Sequence, residues 1–268
     1  MSSFIIKLIA IVSMTIDHAN YVFAKQVSLN VIGRLAFPLF CFQLVVGFEK
    51  TKNLLKYLAR MLVFAFITEI PYLFYIKSIG RGFELNVLFT LFLGLIAMYV
   101  YDLKIENKQG KLALTDHQGK NLIEKMSVQY EPGLKALIVC FKTLLIVFIT
   151  LLCHGIKAEY GAWGILIILF IHAFYPFKSE INLFGTKIKI KKEISNLLFL
   201  LGFLIFAIQK YTEFWRIIPL ITTIAFTIFT FIPAIIMLLN NGKKGLNLKY
   251  FFYIYYPAQF IILGILNM

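Results

Sequence analysis

The sequence predicts an all-α protein, a polytopic transmembrane helical bundle of about nine spans within a range of eight to ten. Three observations point there. First, 60% of the residues are hydrophobic and only 15% charged, with mean hydropathy +0.82, whereas a soluble domain carries about 45–50% apolar and about 25% charged residues. Second, the apolar residues come in blocks, several long enough for the ~20-residue helix that crosses ~30 Å of hydrocarbon. Third, the blocks do not alternate. Residues 144–152 lack the in-out pattern of a β-barrel strand, and an open sheet would leave backbone polar groups unpaired in lipid.

The spans fall at 4–24, 28–48, 54–76, 84–101, 134–153, 160–176, 194–209, 214–239 and 250–267. The seventh is short. The eighth is long enough to tilt or to kink at Pro219 or Pro233. No linker and no internal repeat divides the chain, so residues 1–268 read as one integral membrane domain. The first span lacks the basic leader and small-residue cleavage site of a secretory signal. The one long polar connection, 102–133, is expected to be a partly mobile loop.

A net charge of +14 raises the possibility of nucleic acid, but the placement of the charge argues against it. Fifteen of the 27 basic residues lie in alternate connections, the second-to-third, fourth-to-fifth, sixth-to-seventh and eighth-to-ninth; five lie in the others, and Lys7, Arg34, Lys56, Arg60, Lys135, Lys142 and Arg216 fall within spans. Charge so distributed sets topology and meets anionic lipid. It puts the amino terminus and loop 102–133 in the cytoplasm and the carboxyl terminus outside; the expected location is a cell membrane, bacterial inner or plasma. Cys41, Cys140 and Cys153 all lie in apolar segments. They read as small buried hydrophobes with neither metal spacing nor a disulfide framework, and no metal is expected.

Ionisable side chains at bilayer depth cost at least about 2.5–3.5 kcal/mol each, so they mark partners or function. In the first span Lys7 and His18 stand eleven residues apart. At ~100° per residue they lie within about 20° of one face, separated by a rise of about 16 Å. One stripe thus carries a cation at one end and an acid-base group at the other. Asp17 can orient His18, pair with Arg34, or cap the outer end of the helix. Arg34 precedes Pro38 by one turn, and its fork suits an ion pair with Asp17 or Glu69, an anionic cofactor, or a developing oxyanion. Glu69 reads first as a structural partner. Asn86 and Thr90 can hydrogen-bond inside the bundle. Lys142 can snorkel, and His172 reads as structural. His154, Glu159 and Tyr160 lie at the outer interface, where Tyr and Trp serve as anchors.

These segments resemble the TraX family of membrane proteins, whose namesake acetylates the amino terminus of conjugal pilin. The resemblance rests on Lys7-Leu8-Ile9-Ala10 with Asp17-His18, on Gly33-Arg34-Leu35-Ala36-Phe37-Pro38-Leu39-Phe40, and on Leu85-Asn86-Val87-Leu88-Phe89-Thr90-Leu91. Tyr160-Gly161-Ala162-Trp163-Gly164 and Tyr253-Ile254-Tyr255-Tyr256-Pro257 match less closely. The Lys7 to His18 spacing is also similar to the basic-x10-His signature of membrane acyltransferases that modify sugars. One departure stands near the end: Ala258-Gln259 follow Pro257 where the family pattern has a histidine.

The resemblance implies a membrane O- or N-acetyltransferase. Its donor would be acetyl-coenzyme A and its acceptor an amine or hydroxyl of a peptide, glycan or lipid. His18 would act as general base oriented by Asp17, and Arg34 or Asn86 would stabilise the oxyanion. Coenzyme A would reach in along the Lys7–His18 stripe. Glu69, Thr90, Glu159 and Tyr160 would contact substrate or support the site. The alternatives are a transporter or flippase and a non-catalytic membrane assembly protein.

Overall fold

The computed structural model describes the chain except for residues 109–110, 116–120, 127–131, 178–179, 184–185, 213–218 and 247–248. Among the described residues the helices are α1 (Ser3–Phe23), α2 (Val27–Gly33), α3 (Ala36–Lys50), α4 (Leu54–Ser78), α5 (Val87–Asp102), α6 (Pro132–Gly155), α7 (Gly161–Phe174), α8 (Lys192–Thr212), α9 (Leu220–Leu238) and α10 (Lys249–Leu266). Together α2 and α3 form one apolar stretch, Val27–Lys50. Among the described residues six stretches are long and apolar enough to cross a membrane; α5, α7 and the apolar part of α10 are shorter. Each helix falls on one of the expected spans, and the chain is a multi-pass helical membrane protein.

The lipid solvent is visible in the packing. On α6 the side chains of Leu137, Phe141, Leu144, Phe148 and Leu151 form an i, i+4, i+7 stripe, each at least 60% exposed. A water-soluble protein would not present such a stripe. Inside, Ile6, Ala10, Leu39, Phe42, Val45, Leu95 and Ile168 are fully buried and belong to one core cluster. Polar caps start the helices where the sequence supplies them. Ser2 accepts from the Ile5 amide, Asn53 from Lys56 and Asn86 from Leu88.

Contacts between connections show that successive spans run in opposite directions. At one end, Ser3 N–H donates to the Lys243 carbonyl and Lys50 Nζ to the Gly242 carbonyl. Glu49 reaches His172 there too. At the other end Leu85 pairs with the 157–159 loop, and Asn267 Nδ2 donates to the Ser78 carbonyl. These are called below the amino end and the His18 end.

The sequence departs from this picture in two places. The polar connection after α5 is read as a loop, but it carries an antiparallel sheet of β1 (Lys104–Lys108), β2 (Lys111–Thr115) and β3 (Asn121–Met126). A hairpin of β4 (Glu180–Leu183) and β5 (Thr186–Lys189) joins α7 to α8. Both sit between spans, where backbone groups can pair outside hydrocarbon. The second span is broken at Arg34 and Leu35, which carry α2 into α3. Pro38 stands in the first turn of α3, where its missing N–H leaves no helical bond unmade.

Candidate functional site

Two neighbours in sequence take separate tasks. Asp17 turns to α2: Arg34 Nη2 donates to both its carboxylate oxygens at 3.2 Å. Arg34 Nε donates to the Asn30 carbonyl at 3.1 Å, which fixes the plane of the guanidinium. Gly33 makes room for this, since a Cβ there would collide with the Asp17 carboxyl group. The ion pair is largely shielded, with side-chain exposures of 21% and 14%.

His18 turns to α4 and α10. Gln259 Nε2 lies 2.8 Å from its Nδ1, and the ring packs against Phe260 and Tyr75 at centroid distances of 4.9 and 5.7 Å. Tyr75 also donates its hydroxyl to the His18 carbonyl at 2.8 Å. The imidazole is therefore oriented by Gln259 rather than by Asp17, which is the corrected assignment: residues adjacent on a helix point about 100° apart. Gln259 itself is 5% exposed. Sequence reading gave it no role because only the tertiary fold brings α10 beside α1.

His18, Asp17 and Arg34 line a cavity of about 830 Å³ at the His18 end, with Arg81, Glu159 and Lys210. The sequence-expected Glu159 and Tyr160 reach it through the α6–α7 loop. That loop is held by the Leu85–Leu91 motif. Leu85 N–H donates to the Lys157 carbonyl at 3.0 Å, Glu159 N–H to the Leu85 carbonyl at 2.9 Å, and Thr90 Oγ1 to the Glu159 carbonyl. Tyr160 stacks on Phe37 at 3.6 Å. A Cβ at Gly164 would sit 2.6 Å from Thr90 Cγ2 and 3.1 Å from Phe37, so the Gly33–Phe40, Leu85–Leu91 and 160–164 motifs meet at one packing point. Burial pushes the Glu159 carboxyl up to about 7; Arg81 opposes the rise and Glu84 adds to it.

Glu69 and Asn86 stand apart from this centre. Asn86 Nδ2 donates to Glu69 Oε2 at 2.7 Å and to the Ala65 carbonyl at 2.9 Å. The Asn86 amide hydrogens are thus directed at α4, and Glu69 pairs with Asn86 rather than with Arg34. Together they tie α4 to the start of α5.

Lys7 lies at the amino end. It lines a second cavity of about 360 Å³ with Lys50, Arg60 and Lys244. Between the two cavities is an apolar pocket of about 140 Å³ lined by Ile11, Met14, Met61, Phe64 and Leu88 among others. Positions 7, 11, 14 and 18 lie on one face of α1. That face supplies walls to the basic cavity, then the apolar pocket, then the His18 cavity.

Lys142 is 3% exposed and does not reach outward; its Nζ donates to the Leu103 carbonyl at 2.6 Å. His154 lines the His18 cavity, a position the sequence assigned only to the interface.

Comparison with known proteins agrees with the motifs. The chain is 27% identical over 277 residues to the "Probable fimbrial assembly protein FimC, serogroup H1" of Dichelobacter nodosus, covering 98% of this chain and 94% of that one. It is 29% identical over 100 residues to an uncharacterized protein of Rickettsia prowazekii (strain Madrid E), covering 36% of each. No solved structure matches it. The family described as TraX protein matches residues 2–267. The chain belongs to the TraX family.

Proposed function

We propose that this protein transfers an acetyl group from acetyl-coenzyme A to an amine or hydroxyl, with His18 as the proton acceptor. The observation that carries the reading is the α1 face bearing Lys7, Ile11, Met14 and His18, which lines three successive cavities. The phosphates of coenzyme A suit the cluster of Lys7, Lys50, Arg60 and Lys244, and its thioester arm suits the apolar pocket. The acceptor enters the cavity of Arg81, Glu159 and Lys210. With the amino terminus cytoplasmic, as the charge pattern indicates, donor and acceptor approach from opposite sides.

The chemistry uses groups already oriented. The acceptor nitrogen or oxygen attacks the thioester carbonyl, its proton passes to His18 Nε2, the carbon–sulfur bond breaks, and the thiolate leaves and is reprotonated. For Nε2 to accept, Nδ1 must carry the ring proton, so the Gln259 amide, whose Nε2 stands 2.8 Å from Nδ1, must turn end for end to present its oxygen. The orientation of the Gln259 amide thereby sets the tautomer. Arg34, held in plane by Asp17 and Asn30, faces the developing oxyanion. Glu159 lies in the same cavity to bind or deprotonate the acceptor. The relative named for fimbrial assembly makes a peptide amine the first acceptor to test.

Purified chain in liposomes with acetyl-coenzyme A is expected to release free thiol and acetylate a peptide amine. His18→Ala is expected to lose both while keeping its helical circular dichroism. Full activity in that variant would exclude the assignment. The broken α2–α3 span at the cavity favours one second reading, a transporter, because discontinuous helices line many transport sites. Solute flux through liposomes without acetyl-coenzyme A would support it instead.

A further inference from the structure

At the amino end, remote from His18, three helices finish together. Glu49 is the penultimate residue of α3, Asp102 the last of α5, and His172 stands in the last turn of α7. His172 Nε2 lies 3.0 Å from Asp102 Oδ1 and its Nδ1 lies 3.7 Å from Glu49 Oε1. One donor atom from each residue falls within 4.8 Å of the others. The ring is fixed by edge contacts with Phe48 at 5.3 Å and Tyr101 at 5.7 Å.

We propose that Glu49, Asp102 and His172 bind one divalent transition-metal cation, of the Zn2+ or Mn2+ class. Two independent features support this beyond the residue types. The first is unsatisfied valence. His172 is 1% exposed, yet neither ring nitrogen makes a hydrogen bond, and the buried Oδ1 of the neighbouring Asn182 also has none. Buried polar atoms seldom lack partners, and an ion is one standard reason. Asp102 is close to the ring but off its hydrogen-bonding axis. A metal about 2.0–2.2 Å from a nitrogen and an oxygen brings those two atoms close without any hydrogen bond between them.

The second feature is the field. Each helix C-terminus carries a partial negative charge, and three of them converge on two carboxylates. A field of that sign favours a bound cation. Asn182 Nδ2 donates to Asp102 Oδ1 at 2.7 Å, an outer-shell bond of the kind that orients metal ligands. One imidazole with two carboxylates and no thiolate suits Zn2+ or Mn2+ rather than Cu(I). Such an ion would clasp the ends of α3, α5 and α7, and it requires nothing of the acetyl-transfer reading. The site is invisible to sequence spacing because its ligands come from three helices.

The full chain, purified in detergent and stripped with chelator, is titrated with Zn2+ and separately with Mn2+, and retained metal is measured after gel filtration. Wild type is expected to retain one ion, with Glu49→Gln and His172→Gln weakened at least about tenfold. Equal retention in the variants, or no retention in wild type, overturns the proposal. Because His172→Gln could unfold, Co2+ is added to wild type and to Glu49→Gln, whose side chain is 39% exposed. Visible d–d bands in wild type alone support the site. Their absence from wild type, or their persistence unchanged in Glu49→Gln, refutes it.

Discussion

Gly33 shows how one missing methylene places a charge. Asp17 occupies the space a Cβ would need, and its pair with Arg34 depends on that approach. Gly33→Ala is expected to destabilise the chain by about 1–3 kcal/mol through overpacking and to lower acetyl transfer by moving Arg34. Thermal unfolding in detergent, read beside activity, checks both. Glu159 sets a pH dependence. Its carboxyl stands at about 7 against an ordinary value of 4.5, so the folded state favours the proton. As pH rises between those values the unfolded chain has released a proton that the folded chain retains, and stability falls across that window. Glu159→Gln is expected to flatten the fall. An unchanged slope in unfolding scans would assign the dependence to another group.

Among the elements, α5 shows how a cap can also build a site. Asn86 begins the helix, binds Glu69 and the Ala65 carbonyl, and so sets where Leu85 and Thr90 grip the Glu159 loop. Asn86→Leu removes the cap, worth about 0.5–2 kcal/mol, and strands the Glu69 carboxylate. The expected outcome is a lower melting temperature with loss of activity, even though Asn86 is remote from the His18 ring. The α2–α3 break is a second case. Gly33, Arg34 and Pro38 could be read from the sequence as a costly polar spot in an apolar span. That the span would divide there into two helices, with the guanidinium turned back on Asn30, depended on α1 packing alongside.

For the whole molecule, the charge asymmetry of the connections predicts sidedness. Single cysteines placed at Lys52 and Lys243 are expected to react with an impermeant thiol reagent only from the cytoplasmic face, and cysteines at Arg81 and Lys157 only from the opposite face. Labelling of all four from one side would contradict the alternating directions of the spans. The same geometry separates the two cavities: the lysine-rich one opens at the amino end and the His18 one at the other, with apolar walls between.

The sequence by itself determined the helical membrane class, the positions of the spans, the family and the Lys7–His18 stripe. These follow from block hydropathy and helical period, which are properties of contiguous residues. Only the tertiary structure decided the partners. It gave Asp17 to Arg34, His18 to Gln259, Glu69 to Asn86, and His172 to Asp102 and Glu49. It also placed strands within a connection that reads as a polar loop. The physical reason is that hydropathy tells each helix to enter the bilayer but does not say which neighbour it meets. Lipid is as apolar as leucine, so neighbours are chosen by close packing and by the pairing of a few buried polar groups, and those groups lie far apart in the chain.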